Sequence, residues 1–471
     1  TNFGITFTAG QIHQVAIDVD GGKLYYGVNN TYYAADGGGD GNPSSGTNHL
    51  STFDFAGNEI KLMTQVTTDS SAENWNFGQN GTFNNTKVAQ GNSDKNGIGD
   101  FFYAPPTGFL ALCTDNLPDP EVDPNAGDNP EDYFNSVKYA GNNTSPRSIT
   151  GVGFEPDWVW IKDRTVSNNH VLVDRVRGVS ELLYTNSSVA AVTGAYQLSS
   201  FDSDGFTLGA TTYVNENSGS NAYVAWNWKA GGTAVSNTDG DVTSTISANT
   251  ESGFSIVTYT TTGVGDITVG HGLGKAPEMI FGKVRGENYG WNVFALPAGA
   301  TKGGSFLNSS NGGPTAFGTD TAFGATAPTT TVFTAGRGGQ QNMNFEAGNQ
   351  VVAYCFASVE GFCKIGSYQG NALVDGTYVY TGFRPAFLII KNVDTTDNWF
   401  MFDSVRSPYN EVNGFLKPNT AENEFAFGNG GIDILANGFK FRGDSTLGNG
   451  HNQQHIYLAI AKQSFKYANA G

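Results

Sequence analysis

"GFEPDWVWIK", Gly153 to Lys162, sets a proline ahead of a continuous apolar run in which tryptophan recurs at every second place, and the run closes on a lysine. Residues i and i+2 of an extended chain share a face, so Trp158 and Trp160 point the same way. Such a pair is either an exposed stacking platform or one face of a buried strand. Two altered copies decide between these: "GLGKAPEMIFGK" (Gly272–Lys283) and "GFRPAFLIIK" (Gly382–Lys391). Pro156, Pro277 and Pro385 feed the three runs, and Lys162, Lys283 and Lys391 close them. The tryptophan slots hold Met279 and Phe281 in the second copy, Phe387 and Ile389 in the third, which favours a core role for at least one of the tryptophans.

The correspondence extends outward. Tyr139, Tyr259 and Tyr368 open the copies, and the first and third keep one constant offset through Asp174 and Arg177 of "VDRVRG" and Asp403 and Arg406 of "FDSVRS". "NAYVAWNW", "QVVAYCFA" and "QHIYLAIA" end them. A unit of about 100 residues is too long for a solenoid repeat and suits a whole domain. Short apolar runs behind prolines, separated by Gly, Asn, Ser and Asp turns, predict an all-β chain of tandem antiparallel β-sandwich, jelly-roll-like domains. The expected boundaries are 132–232, 253–360 and 361–471 for the three repeats. "DNLPDPEVDPNAGDNP" makes 115–131 an acidic, Pro-rich linker, and 233–252 is a Gly/Ser/Thr-rich joint.

Ahead of the repeats, "QVAIDVDGGKLYYGVNNTYY" (Gln14–Tyr33) alternates apolar and polar residues on both sides of a Gly-Gly turn, the pattern of a β-hairpin. With "NFG" and "PPTGFLALC" further on, residues 1–114 resemble part of a SPRY/concanavalin-like lectin β-sandwich. The strand pattern starts at once and no Met leads it, so the expectation is a sequence that begins inside a domain.

Composition narrows the function classes. Glycine supplies 63 of 471 residues and charged residues only 14%, which suits strands and tight turns. A net charge of −18 repels phosphate backbones and anionic membranes, so neither nucleic acid nor membrane insertion is expected. Cys113, Cys355 and Cys363 fit neither a disulfide framework nor a zinc ribbon. "HNQQH" (His451–His455) lacks the glutamate of a zinc-protease helix, and "GHGLGKA" (Gly270–Ala276) lacks the Ser or Thr of a phosphate loop. Oxygen-rich turns at Asp18–Lys23, Ala35–Asn42, Asp202–Gly205 and Asn237–Asp241 read first as turns; if one calcium ion is held, Asp36, Asp40 and Asn42 are its expected ligands. The Asp-x-x-Arg phrases predict structural ion pairs.

Taken together, the lectin-like segment, "GVGFEPDWVWIKDR", "SSFDSDGFTLG" and "YVAWNWKAGG" resemble uncharacterised structural proteins of marine bacteriophages, of the tail-fibre or virion kind. The resemblance implies a virion surface component with no enzymatic activity: a tail fibre or appendage, expected as a homotrimer, that joins other virion proteins and attaches to a host-surface glycan or protein. The alternatives are a purely structural shell, sheath or decoration subunit, a bacterial adhesin, and, less favoured, a polysaccharide depolymerase. The second copy lacks both the tryptophan pair and the Asp-x-x-Arg phrase, so no site built on those recurs in all three.

Overall fold

The structure is a computed structural model that describes residues 8–53, 74–194, 197–209, 212–298, 307–311, 321–339, 341–428, 430–443 and 446–467. The chain is all-β and falls into two compact units, Thr1–Pro118 and Asp119–Gly471.

In the first unit the alternating phrase forms the expected hairpin. Strands β1 (His13–Asp18) and β2 (Lys23–Val28) pair antiparallel, and β3 (Thr31–Tyr33) and β4 (Ser51–Thr52) both join β2. The Asp18 carboxylate accepts from the Gly21 N–H at 2.8 Å and closes the turn between β1 and β2.

Every repeat of the second unit pairs one large antiparallel sheet with a smaller one. In the first repeat, β5 (Phe134–Ala140), β6 (Arg147–Thr150), β7 (Trp158–Asp163), β8 (Val171–Asp174), β9 (Glu181–Tyr184), β10 (Val192–Thr193), β11 (Leu198–Asp202), β12 (Gly205–Leu208) and β13 (Ala222–Trp228) form two sheets, ordered β10-β9-β8-β7-β13-β5 and β11-β12-β6. The second repeat comprises β14 (Val235–Asn237), β15 (Ser244–Asn249), β16 (Phe254–Thr262), β17 (Ile267–Gly270), β18 (Met279–Val284), β19 (Asn292–Ala295), β20 (Val332–Ala335) and β21 (Ala347–Phe356). Its large sheet runs β14-β15-β16-β21-β18-β19, beside the pair β17-β20. In the third, β22 (Cys363–Gln369), β23 (Tyr378–Tyr380), β24 (Phe383–Asn392), β25 (Trp399–Asp403), β26 (Gly414–Phe415), β27 (Phe425–Ala426), β28 (Ile432–Leu435), β29 (Gly438–Phe441) and β30 (Gln454–Ser464) give sheets β22-β30-β24-β25 and β23-β29-β28, with β26 and β27 as a separate pair.

Register fixes the equivalences. Trp160 faces Trp226, which faces Ser136; Phe281 faces Tyr354, which faces Ile256; Ile389 faces Leu458, which faces Ile365. The lysine-terminated run is therefore a central strand of each large sheet, buried on both faces, which is why it reads as continuously apolar. In the first and second repeats its odd and even side chains serve different cores. Val159 and Ile161 pack toward the small sheet of their own repeat, while Trp158 and Trp160 enter a cluster shared with Phe281, Tyr354, Phe387 and Ile389. Both tryptophans are buried, at 1% exposure each, so neither is a platform.

The three repeats are thus not separate beads. Their large sheets face one another around a common aromatic core, in which Trp158 stacks on Tyr354 at 4.4 Å and 19°, and Phe134 and Trp228 meet Phe387 at 5.6 and 5.5 Å. Contacts of this kind contribute roughly 0.5–1.5 kcal/mol each beyond buried area.

Two segments differ from expectation. The joint at 233–252 carries β14 and β15, which extend the second large sheet through β16. Its Thr and Ser content suits an edge, and Ile246 supplies the one strongly buried apolar contact that its composition conceals. Within the acidic linker at 115–131, Val122 is completely buried in the shared core and the Glu121 N–H donates to the Glu360 carbonyl at 3.2 Å. Ion pairs from Glu121 to Lys275 and from Asp119 to Lys466 (2.6 Å) tie the segment across the second and third repeats, so from Asp119 onward it is a strap.

Candidate functional site

A full-length lysine side chain is rarely buried without a carboxylate beside it, because its ammonium loses water it cannot easily replace. Here three are. Lys162, Lys283 and Lys391, the residues that close the apolar runs, each show 0% exposure. Each ammonium is held by main-chain carbonyls, and in every case one of those carbonyls belongs to another repeat. Lys162 donates to Asp163 O (2.7 Å) in its own turn and to Ala421 O (3.1 Å) of the third repeat. Lys283 donates to Glu287 O (3.2 Å), Tyr289 O and, in the first repeat, Ser188 O (2.9 Å). Lys391 donates to Asn392 O (2.6 Å) and, in the second repeat, Ser310 O (3.5 Å). Third to first, first to second, second to third: the contacts close a three-membered ring inside one chain. Burial lowers all three lysines to about 8, with Asp163 opposing the shift at Lys162 and Asp397 at Lys391.

The carbonyl that reaches across is itself positioned by an asparagine two residues earlier. Asn186 Oδ1 accepts from His170 N (2.9 Å), Asn308 Oδ1 from Trp291 N (2.8 Å) and Asn419 Oδ1 from Trp399 N (3.1 Å). These three asparagines escaped the sequence reading. Loops of unequal length separate them from the lysines, so no constant offset reveals them, although "TNSS", "LNSS" and "PNTA" share the phrase.

Two of the three junctions are also ionic. The Arg177 guanidinium donates to Asp174 Oδ2 at 2.5 Å, and Tyr354 of the second repeat donates its hydroxyl to the same oxygen at 2.7 Å. Likewise Arg406 donates to Asp403 Oδ2 at 2.5 Å, and Trp226 Nε1 of the first repeat donates there at 3.0 Å. All four charged side chains have zero exposure. The expected ion pairs therefore form, and they lie beneath the neighbouring repeat. In the second repeat, register puts Ala295 where the others have Asp174 and Asp403; the place of Trp226 and Tyr354 falls to Leu458 in the third. Loss of the carboxylate and loss of its donor go together, as a buried network must be fully satisfied or absent. At the rim, Arg164 pairs with Glu424 at 2.6 Å and Arg285 with Glu181 at 2.8 Å, again between repeats.

The other sequence candidates have internal partners. Asp36 accepts from Gly38 N (2.8 Å), Asp40 from Asn48 Nδ2 (2.9 Å), and Asn42 caps a short 3-10 turn through Ser45 N (3.1 Å). The Asp36 and Asp40 carboxylates flank Gly38, while Asn42 is turned to its cap. Asp202 accepts from Thr207 and Asp241 from Thr268. Among the described residues no group of three or more His, Cys, Asp or Glu side chains is arranged to hold a metal ion. His455 lies on β30 rather than on a helix, buried, with burial lowering it to about 4, while His451 stands exposed in the preceding turn. His271 of "GHGLGKA" accepts from Leu273 N at 3.2 Å and organises its own turn. All three cysteines are free. A depression between the first and third repeats, lined by Glu131, Phe134, Ser136, Ser404 and Lys462 among others, holds about 20 Å³, enough for one water.

No curated protein matches the chain, and no solved structure matches it either. The family described as a domain of unknown function (DUF7483) matches residues 129–464, a span that takes in all three repeats and leaves out most of the strap. The family unit is thus the closed ring and not the single sandwich, and the chain belongs to the DUF7483 family.

Proposed function

We propose that this protein is a virion structural component of a bacteriophage, a surface appendage whose role is attachment to a host-surface glycan or protein without turnover. The observation that carries the reading is where the buried ionic chemistry is committed: Lys162, Lys283 and Lys391, with Asp174–Arg177 and Asp403–Arg406, all join one repeat to the next. Groups held this way build a rigid body and have no freedom for proton transfer or nucleophilic attack. The resemblance of "GVGFEPDWVWIKDR" and its companions to phage structural proteins supplies the setting. In this reading three related repeats already surround a common core inside one chain, and the expected association into a homotrimer would add copies of that ring.

Immunogold labelling of intact particles with antibody to the ring tests the assignment. Gold on fibres or tail tips supports the attachment role, gold over the shell supports a decoration subunit, and particles that carry neither label nor the protein by mass spectrometry remove the virion reading.

A further inference from the structure

The first unit displays two large aromatic rings in the stretch "NWNFGQNGTFNNT", Asn74 to Thr86. Trp75 and Phe77 are each 40% exposed, with ring centroids 5.9 Å apart and planes 14° from parallel. Two adjacent aromatic faces in water forgo the burial that such side chains ordinarily gain, roughly 25 cal/mol per Å².

The turn beneath the rings is locked. Asn76 Oδ1 accepts from Gly78 N (2.8 Å) and Asn80 N (3.1 Å), while its Nδ2 donates to Asp100 O (2.9 Å). Gln79 closes the other side, accepting from Phe77 N at 2.6 Å and donating to Trp75 O at 2.7 Å. The backbone that carries the rings is therefore ordered before anything binds, which removes part of the ordering cost of association.

Strain is stored alongside. Phe83, Asn84 and Asn85 stand in succession at φ 47°, 56° and 66°; asparagine adopts this left-handed region readily, so the cost of about 1–2 kcal/mol falls on Phe83. Asn84 Nδ2 from this turn donates to Asn74 Oδ1 at 2.7 Å, so the strained segment places exposed amides next to the aromatic pair. Backbone held in such regions collects at ligand clamps.

From this we infer that Trp75 and Phe77 form a binding platform for a neutral hexose polymer, a conclusion that rests on the attachment reading above and names its ligand class. A pyranose presents a face of C–H groups that packs on an aromatic ring, and a rim of hydroxyls that amides serve as both donors and acceptors. The stretch 74–86 contains no Lys, Arg, Asp or Glu, and the charged groups that adjoin it are engaged, Asp100 Oδ2 by the Gly81 N–H at 3.0 Å and the Lys87 ammonium by Gly10 O at 2.7 Å. The chain's net charge of −18 repels polyanions.

Affinity electrophoresis of the full chain through gels containing dextran, laminarin, mannan or the polyanion alginate is the test. At least one neutral polymer is expected to retard the protein and alginate is not, while Trp75→Ala and Phe77→Ala each weaken the interaction about tenfold or more. Trp75→Phe, which keeps an aromatic face, retains most of it, and this separates a lost ring from a misfolded unit. Passage of the parent chain unretarded through all three neutral gels, unchanged binding by both alanine variants, or preferential binding to alginate would overturn the inference. The electrophoresis and the particle labelling are independent, so failure of one leaves the other readable.

Discussion

Lys283→Met is the most informative single change, because it separates the two opposing energies at a ring junction. The substitution removes a desolvated ammonium and at the same time strands Ser188 O, Glu287 O and Tyr289 O. An unpaired buried acceptor costs about 1–3 kcal/mol. Against that stands the relief of a lysine whose proton affinity falls from the ordinary 10.5 to about 8 on folding, a shift equivalent to roughly 3 kcal/mol. With three acceptors stranded, the net effect near pH 7 is a destabilisation of up to about 6 kcal/mol. The sign of the pH dependence follows from linkage: between about 8 and 10.5 the unfolded chain holds the proton that the folded chain has lost, so the parent protein gains stability as pH rises through that window. The methionine variant has no such gain. Its deficit therefore widens by about 2 kcal/mol between pH 7 and pH 9.5. Buried tyrosines such as Tyr259 and Tyr354, raised by burial, oppose the trend above pH 10 but cancel in the comparison. Urea unfolding of both proteins at the two pH values measures the difference, and a deficit that stays constant or shrinks with pH would refute the argument that burial lowers the proton affinity of Lys283.

The junctions give further expectations. Tyr354→Phe removes one donor from the Asp174 carboxylate and is expected to cost about 1–2 kcal/mol, read from the denaturation midpoint. Ala295→Asp places a carboxylate at the one junction that lacks an arginine, and a drop of about 3 kcal/mol or more is expected; a variant as stable as the parent would show that this junction is wet. Asn344 is fully buried and accepts from Thr262 N at 2.7 Å while donating to Gly265 O at 2.8 Å. Asn344→Ala is expected to speed amide exchange through 262–265 while the shared core stays protected, and uniform protection across both would remove the loop-holding role.

The repeats were legible because their landmarks answer to strand geometry: a proline that starts a strand, a two-residue alternation, and a lysine at the far end keep step whatever the intervening loops do. What the lysines touch was not legible. Their partners are main-chain carbonyls, which leave no trace in side-chain identity, and those carbonyls lie in a different repeat. Nor did composition separate a true joint from 244–249, where "STISAN" looks like linker yet pairs with β16 along its length. Val122 is one apolar residue among acids and prolines, and only the assembled core shows the slot it fills. The exposure of Trp75 and Phe77 was not legible either, since the turn that carries them is tied by a hydrogen bond from Asn76 to Asp100 O, far apart in the chain.

A ring closed within a single polypeptide has a consequence for how its sequence can change. In a trimer of identical chains every substitution appears three times, so a junction cannot lose its carboxylate without all three losing it together. Here Asp174, Asp403 and Ala295 are separate positions of one chain, and one seam is apolar while two are ionic. Covalent linkage also fixes which neighbour each seam meets and keeps the members at high effective concentration for one another. Mutational drift at one seam is buffered by the other two, and the three outer surfaces are free to specialise.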